Sequence, residues 1–391
     1  VLAVLLAVLA GACSEPPSEP VEPVINVQPL PLEEVEASLF LVGDAGSLTS
    51  STVGGVLEDL RFQVSSYAEA VGSGNVAVVF LGDNVYPSGM RRRSGEWDAE
   101  AARALEQQIE VLAGTGVRGI FLAGNHDWGG FREEHDRVCR QTEFLDQVEE
   151  IRVELLPENG CPGPQRVDLG DGLALILLDT EWLRQNAEDP EEDEAESCSE
   201  LVGCSHETAG QVLEDLGSMV TAAAQDGRSA LVLGHHPLVT GGEHRSGWGS
   251  QDITAEDYAD MVRAVTETLA AAETPPLLYA AGHDHNLQVM EGEGFPFHAV
   301  SGSGSKLASV TSIGEKSLYY AAAPGFLRLD RARDGRIQLT VWRSDQGEAG
   351  ARFLLAERAD EDPAPAEESA DTTDPSGPTE GQTEPSAEEG P

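Results

Sequence analysis

The chain has 391 residues, 40% of them hydrophobic, enough for a sizeable buried core, which excludes wholesale disorder. Its 69 acidic residues against 24 basic ones give a net charge of −45, and only 5% of residues are aromatic. So acidic a chain repels phosphate backbones and lacks the stacking surfaces of a protein that coats nucleic acid, so no nucleic-acid partner is expected. The acid is concentrated: residues 359–391 carry 11 acidic side chains and residues 187–207 carry 9, with no Lys or Arg in either stretch.

In chain order, residues 1–12 (VLAVLLAVLAGA) are apolar, too short to span a bilayer, and end in small residues before Cys13. They read as the h-region of a secretory signal. The ending AGAC-S resembles a bacterial lipoprotein processing site, although Ala10 stands where such sites prefer Leu. Residues 1–13 are thus expected to be a leader ending at a lipidated Cys13, which would attach the protein to a membrane. Ser14 after the Cys points to an outer-membrane or periplasmic destination. Residues 14–36, rich in Pro and Glu, are expected to be a tether. Setting Cys13 aside leaves Cys139, Cys161, Cys198 and Cys204, an even number in an exported chain. Three disulfide connectivities are possible, and pairing of sequence neighbours, Cys139–Cys161 and Cys198–Cys204, is the expectation.

Short apolar runs then recur at Ser38–Val42, Val76–Leu81, Gly119–Ala123, Leu173–Leu178, Ala230–Leu233 and Leu277–Ala281. Each has the length and composition of a buried strand. Helix-length amphipathic segments at Trp97–Leu112, Thr208–Ala224 and Thr254–Ala272 lie between several of them. The alternation predicts an α/β domain over residues 37–356, with an acidic insert at about 187–207. Phe326–Leu329, a DG turn at Asp334–Gly335 and Ile337–Trp342 predict a closing hairpin. Residues 357–391 lack core-forming side chains and are expected to be a disordered acidic tail.

Five of the six runs end in Gly-containing turns loaded with metal-competent side chains: VGDAG, LGDNVY, AGNHDW, LGHHP and AGHDH. Loops beyond the carboxyl ends of strands in α/β sheets converge on one crevice. Asp44, Asp83, Tyr86, Asn125, His235, His283 and His285 make seven candidate ligands, more than one ion needs. A shared Asp83 divides the set into two halves, suited to two cations roughly 3.5–4 Å apart that clamp a phosphoryl group. The anionic Asp and Tyr side suits a more highly charged ion, and the neutral Asn and His side a divalent one.

These turns resemble the motifs of the calcineurin-like metallophosphoesterase superfamily, in particular its purple (tartrate-resistant) acid phosphatase branch in the small single-domain form. The resemblance spans Ser38 to Trp342. The discriminating pair is Gly46, where other members of the superfamily carry His, with Tyr86 from the second motif. The resemblance implies a β-sandwich flanked by helices (αββα). It implies Fe(III) at Asp44, Tyr86 and His285, a divalent Fe, Zn or Mn ion at Asn125, His235 and His283, and Asp83 bridging them. It further implies hydrolysis of a small phosphate monoester by in-line attack of a metal-bound hydroxide, with His126 and His244 facing the substrate. Asp127 is expected to orient His126 or a neighbouring backbone, and His236 to pack in the core. A phosphodiesterase or nucleotidase on the same centre is the alternative, and a non-catalytic exported binding protein a more distant one. A monomer is expected.

Overall fold

The computed structural model describes residues 27–357, apart from 49–52, 131–133, 189–194, 200, 246–248 and 315. Cys13, the leader, most of the tether and the acidic tail lie outside the described residues.

The chain starts with β1 (Val35–Val42), α1 (Val53–Val71) and β2 (Val76–Phe80), followed by the short pair β3 (Arg92–Arg93) and β4 (Glu96–Trp97). Then come α2 (Ala99–Glu110), β5 (Arg118–Phe121), α3 (His135–Leu145), β6 (Val153–Leu155), β7 (Gln165–Leu169) and β8 (Leu173–Leu177). Next are α4 (Thr180–Asn186), α5 (Ala209–Gln225), β9 (Ser229–Leu233), α6 (Glu256–Ala271) and β10 (Leu278–Ala281). The chain closes with β11 (Leu287–Glu291), β12 (Phe297–Ser301), β13 (Ser317–Ala321), β14 (Gly325–Ala332), β15 (Ile337–Arg343) and β16 (Glu348–Ala356). All six predicted strands, the three predicted helices and the closing hairpin are present. β1 begins inside the stretch read as tether, and that stretch is anchored further back: the Gln338 side chain accepts from the Leu30 N–H (3.2 Å) and donates to the Gln28 carbonyl (2.8 Å).

Two seven-stranded sheets form, in the orders β16-β15-β14-β1-β2-β5-β6 and β13-β11-β12-β10-β9-β8-β7. The period-two pattern of the strands builds the layers. Leu39 and Leu41 of β1, Ala77 and Val79 of β2, Leu175 and Leu177 of β8, and Leu231 and Leu233 of β9 share one core cluster, drawn from both sheets and containing no helix residue. Their neighbours Phe40, Val42, Val78, Phe80, Ile176 and Val232 belong to the cluster that includes the helices. Alternate side chains thus face the opposite sheet and the helices, which makes the molecule the expected helix-flanked sandwich. The near-continuous hydrophobic runs follow, since both faces of these strands are covered.

The disulfides differ from the expectation. Cys139 pairs with Cys198 and Cys161 with Cys204, with Cα separations of 5.2 and 5.5 Å. Sequence neighbours do not pair because the insert folds back over α3 and the turn at Glu158–Gly160, where the Cys198 N–H reaches the Asn159 carbonyl (2.7 Å). Two disulfides are the chemistry of an oxidising, extracytoplasmic compartment. Among the described residues no helix is long and apolar enough to cross a membrane.

Candidate metal centre

β1, β2 and β5 run parallel in one sheet, and β8, β9, β10 and β12 in the other, so their carboxyl ends lie at the same edge of each sheet. The two edges are stitched together. The Gly43 N–H donates to the Ser301 carbonyl (2.6 Å), and the Gly43 carbonyl accepts from Gly304 (3.1 Å). A Cβ on Gly43 would lie 2.9 Å from the Gly282 Cα, so only glycine allows this approach. Gly46 is equally constrained: a Cβ there would stand 2.3 Å from the Asn84 carbonyl group. The absence of a side chain at Gly46 lets the second turn close over the first, and it brings Tyr86 to Asp44.

All seven candidate ligands come together in the structure. Tyr86 Oη donates to Asp44 Oδ1 (2.9 Å) and lies 3.3 Å from His285 Nε2, which is 3.5 Å from the same Asp44 oxygen. Asn125 Oδ1 lies 3.1 Å from His235 Nε2 and 3.2 Å from His283 Nδ1. Asp83 touches both groups, with Oδ1 3.4 Å from His235 Nε2 and its carboxylate acting electrostatically on the Tyr86 phenol. Asp44, Asp83 and His283 adopt positive φ angles of 60°, 55° and 66°, left-handed backbone that non-glycine residues seldom take and that functional sites often store.

The histidines are oriented from behind. His235 Nδ1 donates to the Leu81 carbonyl (2.7 Å), His283 Nε2 to the Gln251 carbonyl (3.0 Å), and His285 Nδ1 faces a Glu243 carboxylate oxygen (3.1 Å). For His235 and His283 these contacts assign a proton to the rear nitrogen and leave the front nitrogen facing the cluster, the tautomer a metal ligand needs, while Glu243 orients the His285 ring. Donor atoms about 3 Å apart match the spacing of ligands around an ion with bonds near 2.1 Å. The residues fit a pair of metal ions.

The electrostatics agree. Burial and the Asp44 and Asp83 carboxylates hold the Tyr86 phenol well above its ordinary pKa, so only a strong local cation makes it a phenolate ligand. Burial would lower the His285 pKa, but hydrogen bonds to Asp44 and Glu243 outweigh it and raise it to about 10, so this ring holds both protons between two carboxylates until a cation displaces the one facing Asp44. Burial and the neighbouring His244, His236 and His235 rings push His283 far down, keeping it neutral and ready to bind.

His126 and His244 line a cavity of about 200 Å³ together with Asp83, Asn125, His283 and His285. His126 Nδ1 lies 2.6 Å from the Pro87 carbonyl, and its backbone N–H donates to Asp83 Oδ1 (2.9 Å). The His244 ring stacks on His283 at 4.2 Å, with Nδ1 3.5 Å from Asp252 Oδ1. Of the two readings of Asp127, the structure favours the backbone. The carboxylate accepts N–H bonds from Gly124 (2.9 Å), Asn84 (3.1 Å) and Val85 (3.1 Å), tying the second turn to the third, while the His126 ring bonds the Pro87 carbonyl instead. His236 packs behind the site, 3.0 Å from Thr180 Oγ1 and 3.4 Å from Gln251 Oε1.

Several contributors escaped the sequence reading. Thr180, the first residue of α4, lies just beyond β8, and its hydroxyl accepts the N–H groups of His235 (3.1 Å) and His236 (3.0 Å). Asp284, between the two histidines of the last turn, accepts from the His244 N–H (3.0 Å) and the Thr240 hydroxyl. The Asp-Thr after the fourth run was the available signal for Thr180. Gln251, Asp252 and Lys306 sit in loops, and Glu243 in a single 3-10 turn, with no motif of their own.

Comparison with known proteins supports the same reading. Residues 41–287 match the family model described as "Calcineurin-like phosphoesterase". The chain is 26% identical to tartrate-resistant acid phosphatase type 5 of Rattus norvegicus over 234 residues, which cover 58% of this chain and 60% of that protein. The enzyme of the same name from Mus musculus is 25% identical over an equal span, with the same coverage of both chains. The chain thus spans about 60% of the length of these curated relatives. Among solved structures, the yellow lupin (Lupinus luteus) purple acid phosphatase PPD1 superposes with a TM-score of 0.55 at 17% identity, covering 83% of this chain and 55% of that one. GAP50, described as the anchor in the inner membrane complex of Plasmodium, gives 0.58 at 17%, covering 84% and 90%. At these identities the two structures speak for the fold alone. With a matching family model, its αββα sandwich and the clustered donor turns, the chain belongs to the calcineurin-like phosphoesterases, with purple acid phosphatases among its relatives by sequence and by fold.

Proposed function

We propose that this protein is a phosphoric-ester hydrolase that cleaves small phosphate monoesters at a binuclear metal centre. One observation carries the reading: two donor triads share Asp83 at the floor of a small cavity walled by His126 and His244. The family fold implies the binuclear centre. In this proposal Asp44, Tyr86 and His285 would hold Fe(III), Asn125, His235 and His283 would hold divalent Fe, Zn or Mn, and Asp83 would be shared by the two. When bound, the pair supplies Lewis-acid stabilisation of the phosphoryl charge and activates the attacking water.

The protein side chains do the rest. The Pro87 carbonyl fixes a proton on His126 Nδ1 and leaves Nε2 as the nitrogen that exchanges a proton with the leaving oxygen. His244, braced by Asp252 and stacked on His283, lines the same cavity as His126 and holds a phosphate oxygen. Placement at the strand ends of two packed sheets keeps these groups in register. The protein is proposed to be exported and attached through a lipidated Cys13.

The test is a comparison of an aryl phosphate monoester with the matching diester, using metal-loaded protein. Preference for the monoester is expected. Preference for the diester keeps the metal centre and overturns the substrate class, and cleavage of neither with both metals bound overturns the enzyme reading.

A further inference from the structure

Lysine is nearly absent from this chain: of its 24 basic residues only Lys306 and Lys316 are lysines. Lys306 lies in the turn after β12, and both flanks of that turn are tied to the candidate metal ligands. The Ser305 hydroxyl donates to the Asp44 carbonyl and accepts the Ser47 N–H (3.1 Å), while the Ala308 N–H donates to the His285 carbonyl (2.8 Å). Between these anchors the half-buried Lys306 ammonium sits 3.3 Å from the centroid of the Tyr86 ring. His126 packs against the same ring at 4.4 Å, so the lysine and the candidate proton donor converge on one side chain beside the cavity.

Among the described residues the ammonium makes no ion pair, although Asp83, Asp44 and Glu243 all act on it electrostatically. Its direct contact is the aromatic face, which holds a cation without using up its N–H donors. A partly desolvated charge with donors to spare calls for an anion. The ligand of this site is one: a phosphate monoester arrives as a dianion at a protein of net charge −45, where a local cation offsets the repulsion. An ammonium is a compact charge with three rotatable donors, suited to a single phosphoryl oxygen.

We propose that Lys306 is a substrate-binding residue whose ammonium donates to a non-bridging phosphoryl oxygen beside the metal pair. The inference rests on the phosphatase reading. The competing role for the same side chain is to offset the charge of Asp44, Asp83 and Tyr86, in which case it would govern metal retention and not phosphate.

The experiment uses the full chain, metal-loaded, as native protein, Lys306→Met, Lys306→Arg and the control Lys316→Met, whose side chain is exposed ahead of β13. Bound metal is counted by mass spectrometry, and inorganic phosphate is titrated by calorimetry and as a competitive inhibitor. Expected are equal metal contents throughout, phosphate affinity weakened about tenfold or more in Lys306→Met, and partial recovery in Lys306→Arg. Lys316→Met should match the native protein, and KM for an aryl phosphate should rise in Lys306→Met more than kcat falls. Full metal content with phosphate affinity within twofold of native overturns the proposal. So does loss of metal with unchanged affinity per occupied site, which assigns the charge-offsetting role. A native, metal-loaded protein that binds no phosphate brings down the phosphatase reading first, and Lys306 with it.

Discussion

His126 and His298 show how the same side chain serves opposite ends. His126 lines the cavity and is held by a peptide carbonyl, and in the proposed reaction its other nitrogen exchanges a proton with the leaving group. Lost proton transfer of this kind typically costs 10²–10⁴-fold in rate. His126→Ala should therefore retain both metals by mass spectrometry and lose turnover by roughly that factor, most steeply on esters with poor leaving groups. Normal kcat in a metal-loaded variant removes the residue from the reaction. His298 is fully buried, accepts the Leu238 N–H (3.0 Å) and is pushed down to a pKa of about 3 by burial. The unfolded chain holds that proton near an ordinary pKa of about 6.5, so it binds more protons than the folded one between the two values. Stability from this group is full above about pH 6.5 and declines as pH falls toward 3, by up to about 1.4 kcal/mol per unit. Denaturant titrations of the native protein and His298→Gln from pH 7 to 4 read that slope, and an unchanged slope in the variant refutes the assignment.

At the scale of elements, the acidic insert is clamped twice, Cys198 to α3 and Cys204 to Cys161. Non-reducing peptide mapping should recover Cys139–Cys198 and Cys161–Cys204 and no neighbour pair. Removing the Cys139–Cys198 link with a double Ser variant frees a 59-residue loop and should cost about 4 kcal/mol by the chain-entropy relation. The neighbour pairing failed for a physical reason: connectivity is set by which segments pack in space, and nothing in the spacing showed that the insert lies across α3. The same limit explains what else went unread. α1 opens with VGG and α3 has the mixed sequence HDRVCRQTEFL, so neither displays a clean apolar stripe. The six strands were legible because each is buried on both faces and reads as a continuous apolar run. The ligand turns were legible because each follows such a run and combines glycine with Asp, Asn or His. Lys306 and Gln251 were not, since they sit in loops whose course is set by contacts distant in sequence: Ser305 bonds Asp44, 261 positions away, and the Gln251 carbonyl bonds His283, 32 positions away.

On the scale of the whole molecule, the proposed centre straddles the seam of the sandwich. Asp44, Asp83, Tyr86 and Asn125 follow strands of one sheet, and His235, His283 and His285 follow strands of the other. Each donor triad draws on both: Asp44 and Tyr86 with His285, and Asn125 with His235 and His283. Metal binding would therefore staple the two sheets at their carboxyl edges as well as prepare the chemistry. Without a cation, two buried carboxylates face the same few ångströms, a like-charge arrangement that opposes folding. Ions that bind only the folded chain add about 2.7 kcal/mol per site at a hundredfold excess over Kd. Chelation should thus abolish activity and lower the melting temperature together, with both restored by metal. Asp83→Ala, which severs the bridge between the triads, should lose the metal-induced rise and the activity at once. A melting temperature indifferent to chelator in a protein shown to have lost its metals would mean that the Gly43–Ser301 seam holds by itself and that the metals serve the reaction alone.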